Sequence, residues 1–68
     1  MEDKKGFVDG LSRLLNEHHF GIDKLEYFNP GMDYREEVII TYRGGHEQSV
    51  NVSMDSIPAM LRDIGRFL

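Results

Sequence analysis

Two stretches in the middle of the chain alternate apolar and polar residues, and a Gly-Gly pair lies between them. The first covers residues 36–42 and the second residues 48–53. A period of two is typical of a β-strand with one buried face, and two such runs joined through glycine predict a β-hairpin. The face opposite the core is predominantly polar, so we expect it to be exposed to solvent.

The hairpin loop must contain an odd number of residues. A two-residue turn at Gly44-Gly45 would place the apolar residues of the two strands on opposite faces of the sheet. Two registers remain open: a loop of residues 43–45, with Gly45 in the left-handed conformation, or a loop of residues 44–46, which improves the cross-strand pairs. Both registers bury the same side chains, namely Val38, Ile40, Tyr42, Val50 and Val52, and both leave Ile39 on the outer face.

A third strand is predicted at residues 23–28, where apolar and polar residues also alternate. Asn29-Pro30-Gly31 ends this strand in a turn. With a connection that runs to Arg35, we expect Leu25 to pair with Ile40 and Tyr27 to pair with Val38. The result is a three-stranded antiparallel meander in which residues 36–42 form the central strand.

An amphipathic helix is predicted on each side of the meander. The first covers about residues 3–19, with Asp3 as its N-cap and Gly21 following its C-terminus. The second begins after Asp55 or Ser56 and tolerates Pro58 in its first turn. The apolar stripes consist of Phe7, Leu11, Leu14, Leu15 and His18 in the first helix, and of Ile57, Met60, Leu61, Ile64, Phe67 and Leu68 in the second. We therefore expect an α+β fold, a two-layer α-β-β-β-α arrangement with both helices on one face of the sheet.

Length and composition limit the classes of function. The 68 residues predict a single domain, residues 1–68, with a core too small for a deep active site. The chain contains no cysteine and no long apolar run, which predicts a soluble protein in a reducing cytoplasm, with no disulfides and no membrane span. The net charge of -4 argues against direct binding to nucleic acid.

No cluster of residues predicts catalysis or a cofactor. Glu17-His18-His19 is the one sequence resembling a metal site, but neighbouring helical side chains diverge, and nothing in the sequence brings His46 to them. His18 is more simply explained as a half-buried packing residue. The Gly-Gly pair is not followed by a helix, so it lacks the N-terminus that a phosphate-binding loop needs. We expect a protein that is not an enzyme and that has no metal or cofactor.

The outer face of the sheet is the candidate site. Phe28 and Ile39 should lie there on adjacent strands, close to an acidic segment, and a small apolar patch with an acidic rim suits a protein contact. A homodimer is the alternative, formed through this face or by pairing of an edge strand. The predicted contact residues are Glu26, Phe28, Asp33, Tyr34, Glu36, Glu37 and Ile39.

The sequence VIITYRGGHEQSVNVSMDSIPAMLRDIGRFL resembles small proteins of bacteriophages, prophages and related mobile elements of Firmicutes. They share a strand, a glycine turn, a second strand of the type x-V-N-V, and then D-S-I/G-x-A-M-x-R-D-I. Pro58 departs from that pattern, which commonly has a small residue or glycine there, at the start of the helix. The matching positions are Val50, Asn51, Val52, Asp55, Ser56, Ala59, Met60, Arg62, Asp63 and Ile64.

The resemblance implies a phage-type binding protein. Many short acidic phage proteins, anti-CRISPR proteins among them, bind and block host machinery. The partner implied is a host protein, such as a basic nucleic-acid-binding protein or a CRISPR effector, whose basic channel an acidic surface can occupy. The alternative is a homo-oligomeric structural or accessory protein of a phage or mobile element.

Overall fold

The computed structural model describes residues 3–18, 21–29 and 35–68. They form an α+β fold in the order α-β-β-β-α, as predicted, with the three strands in one antiparallel sheet of order β1-β2-β3. The elements are α1 (Lys4–His18), β1 (Ile22–Phe28), β2 (Glu37–Tyr42), β3 (Glu47–Asn51) and α2 (Ile57–Gly65).

The hairpin between β2 and β3 has the loop of residues 43–45. The Tyr42 N–H donates to the His46 carbonyl at 2.8 Å, and the Gly45 N–H donates to the Tyr42 carbonyl at 2.9 Å. Gly45 has a φ of 95°, in the left-handed region that glycine enters without steric cost. Val38 consequently pairs with Val50. The alternative loop of residues 44–46, which would pair Ile40 with Val50, is wrong, and the conformational requirement at Gly45 outweighs the better side-chain pairs.

The pairing of β1 with β2 is as predicted, with Leu25 opposite Ile40 and Tyr27 opposite Val38. The register shifts between Ile22 and Lys24, which marks an irregularity at Asp23. An extra residue in a strand changes which side chains face the core. Because of it, Ile22 and Leu25 both lie on the core face although they are three positions apart, and both are buried.

Both helices begin at side-chain caps that the sequence predicts. Asp3 Oδ1 accepts the Gly6 N–H at 2.8 Å at the start of α1. Ser56 Oγ accepts the Ala59 N–H at 3.3 Å at the start of α2, and Pro58 lies in the first turn. A cap of this kind satisfies a backbone donor that has no partner within the helix. The predicted cap at Gly21 adjoins residues 19–20, which lie outside the described residues.

The core lies between the two helices and one face of the sheet. α1 packs mainly on β1, and α2 adds two completely buried side chains to the same cluster. The buried apolar residues are Val8, Ile22, Leu25, Val38, Ile40, Val50, Val52, Met60 and Ile64.

Five positions of the predicted apolar stripes are exposed, so these predictions of packing are wrong. In the second stripe Leu61 is 47%, Phe67 41% and Leu68 40% exposed. Leu14 is 53% exposed, and His18, at the last position of α1, is exposed and lies beside Glu17 rather than in the core. In the described residues no helix has the length and apolar character that crossing a membrane requires.

Candidate functional site

The outer face of the sheet, opposite the helices, is a three-by-three array of side chains. The register places Phe28, Glu37 and Asn51 in one row across the strands, Glu26, Ile39 and Ser49 in the next, and Lys24, Thr41 and Glu47 in the third. All nine are at least partly exposed. We call these nine residues the outer face.

The centre of the outer face is apolar. Ile39 occupies the middle position and is partly exposed, with Glu26 on one side and Ser49 on the other. Phe28 lies in the adjacent row, on the edge strand β1, and is 50% exposed. Side chains diagonal to each other on neighbouring strands are within reach when one of them is aromatic. Phe28 and Ile39 therefore offer a small apolar contact area.

The rim of the outer face is acidic. Glu26, Glu37 and Glu47 lie around Ile39, and Lys24 is the one basic residue of the nine. Their charges sum to -2, half of the -4 that the whole chain carries. An apolar centre with a charged rim is the usual anatomy of a protein contact surface.

Glu36, predicted as an exposed contact residue, lies instead on the helix side of the sheet. Its side chain is largely buried, and its carboxylate accepts hydrogen bonds from Lys4 Nζ at 3.0 and 3.1 Å and from the Met54 N–H at 3.0 Å. The Tyr27 hydroxyl donates to the same carboxylate. Glu36 therefore connects α1, β1 and the segment that leads into α2.

The hydrogen bonds to Glu36 keep its carboxyl ionised. Burial alone would raise its pKa, but hydrogen bonds from Tyr27, Lys4 and the Met54 N–H outweigh that effect and lower the pKa below its ordinary value. For Tyr27, burial and the bond to Glu36 both raise the pKa of the phenol, so it remains a donor. The three side chains form a network that stabilises the fold.

The connection from β3 to α2 is hydrogen-bonded to the same carboxylate. Met54 has a φ of 63°, a conformation that costs a non-glycine residue free energy. This backbone conformation coincides with the hydrogen bond from its N–H to Glu36. The Met54 side chain is 78% exposed.

Of the other predicted contact residues, Glu26, Phe28, Glu37 and Ile39 are brought together on the outer face. Asp33 and Tyr34 lie outside the described residues.

The described residues contain no group of three side chains positioned to hold a metal ion. The hairpin loop does approach the end of α1, because Arg43 Nη2 donates to the Asn16 carbonyl at 2.9 Å. This contact was not predictable from the sequence. His18 and His46 are both exposed, and His19 lies outside the described residues.

A groove of about 260 Å³ runs along the β3 edge of the sheet beside the end of α2. Sequence patterns gave no indication of it, because it depends on how α2 is placed over the strand. Its lining residues are Ser49, Val50, Asn51, Asp63, Arg66 and Phe67.

These features define a small two-layer α+β protein with one sheet face left uncovered by its helices. No protein-family model, no curated protein and no solved structure matches this chain.

Proposed function

We propose that this chain is a non-enzymatic protein-binding module that docks through the outer face of its sheet onto a basic protein surface. The observation that carries the proposal is the position of Ile39, partly exposed at the centre of the array with Phe28 close by. Burial of these two side chains in a complex would supply apolar contact area, while the surrounding acids supply orientation.

The charge of the outer face decides the kind of partner. Glu26, Glu37 and Glu47 would repel an acidic surface and attract a basic one, and such complementarity mainly raises the association rate and the specificity. Proteins that bind nucleic acid have such basic surfaces in the channels that hold the phosphates. The outer face would compete with the phosphates for such a channel.

The resemblance to phage-type proteins supports a more specific proposal. On this basis the partner is a host nucleic-acid-handling or defence complex, such as a CRISPR effector, and the module acts as its inhibitor in the host cytoplasm. The support is the resemblance of the C-terminal half together with the acidic rim.

Affinity capture with matched variants tests the proposal. Tagged protein is incubated with lysate of a Firmicutes bacterium, at low and at high salt, and the bound proteins are identified by mass spectrometry. The test variant carries Glu26→Lys and Glu37→Lys. We expect a basic nucleic-acid-binding protein to bind the unchanged protein, to be lost from the variant, and to dissociate as salt screens the charges.

The control carries Asp9→Lys and Glu17→Lys, the same change of charge on the exposed surface of α1. It should retain the partner, because α1 covers the opposite face of the sheet. Equal capture by the two variants, or no partner at low salt, would contradict the proposal. Thermal unfolding of each variant confirms that it is folded.

A further inference from the structure

The outer edge of β3 is a row of backbone groups directed away from the sheet. The bonds from Tyr42 N to the His46 carbonyl and from Val52 N to the Glu36 carbonyl fix which residues of this strand face β2. In an antiparallel ladder these alternate with residues whose N–H and C=O groups point outward. The outward groups of β3 are therefore those of Glu47, Ser49 and Asn51.

Part of the opposite edge of the sheet is already occupied. Ser12 Oγ accepts the Leu25 N–H at 2.8 Å, and Asn16 Nδ2 donates to the Asp23 carbonyl at 2.7 Å. Two side chains of α1 thus form hydrogen bonds with outward backbone groups of β1, and these bonds hold the helix along that edge. On β3, among the described residues, we find one comparable contact, from Gln48 Nε2 to the Ser49 carbonyl at 3.0 Å. A carbonyl accepts two hydrogen bonds, so this one leaves room for a second.

We propose that β3 pairs with β3 of a second copy of this chain, antiparallel and with the two-fold axis at Ser49. In this register Ser49 faces Ser49 of the second copy, and each Glu47 faces an Asn51. All three outward residues of both strands are then paired, through six backbone hydrogen bonds if the ladder is regular. Every other antiparallel register leaves at least one of the three without a partner residue.

The side chains suit this pairing. Glu47 would lie opposite Asn51, whereas pairing centred on residue 47 would place two glutamates opposite each other, which is destabilising. Association through the outer faces themselves would bring all three acids of each copy together. Charge therefore favours the edge over the outer face as the contact between copies.

The groove along β3 adds contact area at the same edge. Phe67 lines it and is 41% exposed, and Asp63 and Arg66 line it as one acid and one base. A two-fold axis would bring the groove of one copy towards that of the other, so Asp63 could lie near Arg66 of the second copy. This would cover Phe67 and pair opposite charges.

Sedimentation equilibrium of the unchanged protein and a Ser49→Pro variant tests the pairing. We expect the apparent mass of the unchanged protein to rise towards twice the 7.9 kDa of one chain as its concentration increases from micromolar to millimolar. Proline removes the outward N–H of Ser49 but no bond to β2, and edge positions of this kind tolerate it. The variant should therefore remain folded, as measured by circular dichroism, and monomeric.

A charge exchange tests the register without proline. Asn51→Asp keeps the oxygen that accepts the Ser53 N–H at 2.9 Å but places an acid opposite Glu47, so the dimer should weaken about fivefold. Adding Glu47→Lys should restore it. A strict monomer up to millimolar concentration, or a dimer unchanged by Ser49→Pro and by Asn51→Asp, would overturn the proposal.

Discussion

At the scale of single residues, Glu36 connects several parts of the described fold. Its carboxylate binds Lys4, Tyr27 and the Met54 N–H, and its backbone N–H donates to Ser53 Oγ at 2.9 Å. Removing one partner from a buried set leaves the others without their hydrogen bonds, which costs more than an average contact contributes. These contacts place Glu36 where its loss would reduce stability.

Stability should depend on the ionisation of Glu36. Its folded pKa lies below its ordinary value, so its contribution is complete above the unfolded pKa and is lost as pH falls through the folded pKa. We expect Glu36→Gln to lower the free energy of unfolding at pH 7 by about 1–3 kcal/mol and to weaken its dependence on acid pH. Urea unfolding between pH 2 and 7 measures both effects.

Glu37→Gln is the matched control, since the neighbouring residue lies on the outer face and is partly exposed. It should leave the acid dependence of stability almost unchanged. If the two variants gave the same pH profile, the network around Glu36 would not have the stabilising role described for it.

Asp55, which lies beside Asp63, predicts a pH dependence opposite to that of Glu36. Hydrogen bonding with Asp63, followed by burial, raises the pKa of Asp55, and Asp55 Oδ2 is buried without a hydrogen-bond partner. The contribution of Asp55 alone is complete below its unfolded pKa and is lost as pH rises through its folded pKa. The same contact lowers the pKa of Asp63, whose contribution has the opposite sign. Asp55→Asn supplies a donor and removes a charge, so it should stabilise the protein at pH 7 by about 1 kcal/mol.

Thermal unfolding at pH 4 and pH 7 measures this effect, and the gain should be smaller at pH 4. Asp23→Asn, on an exposed aspartate, controls for the general effect of removing one negative charge. An equal gain in both variants would attribute the stabilisation to net charge and not to the pair.

The position of Glu36 could have been predicted from the sequence. It belongs to the same alternating series as Val38 and Ile40, which places it on the core face. The acids around it suggested a surface residue instead, and the buried partners Lys4 and Tyr27 come from distant parts of the chain. Alternation identifies the face, but only the tertiary structure shows which donors make burial of a carboxylate acceptable.

At the scale of the elements, the two glycines of α1 have different surroundings. A Cβ at Gly10 would meet no atom within 4 Å, whereas a Cβ at Gly6 would collide with the carboxylate of the capping Asp3. Gly10→Ala should therefore stabilise the protein by about 1 kcal/mol, since alanine favours the helix. Gly6→Ala should show no such gain, because it disturbs a cap worth about 1 kcal/mol.

Chemical denaturation of both variants at pH 7 provides the comparison, and each serves as the control for the other. Equal stabilisation would mean that the Asp3 carboxylate moves aside without cost. The open space around Gly10 also shows that no close approach of the sheet requires a glycine there.

The elements themselves were predictable because local patterns determine them. Alternation located the three strands, and a period of 3.6 residues located the helices to within a few residues at most ends. The hairpin register was left open, since side-chain pairing favoured one loop and the conformation of Gly45 favoured the other. The shift at Asp23 had no sequence signal, although it decides that Ile22 joins the core.

At the scale of the whole molecule, both helices lie on one side of the sheet and leave the outer face uncovered. The alternation predicted that Phe28, Ile39, Glu26 and Glu37 would share this face, and the register confirms it. The groove beside β3 and the contacts of α1 along β1 depend on the placement of helices over strands. Such contacts join residues far apart in the chain, so the sequence patterns did not predict them.

The contacts of Ser12 and Asn16 with β1 limit the size of any assembly built by strand pairing. A sheet with two open edges can add subunits at both ends, and growth of that kind leads to fibres. Here α1 bonds two outward groups of one edge, which hinders strand addition there. Strand addition at β3 is then favoured, and the first helix opposes growth into longer polymers.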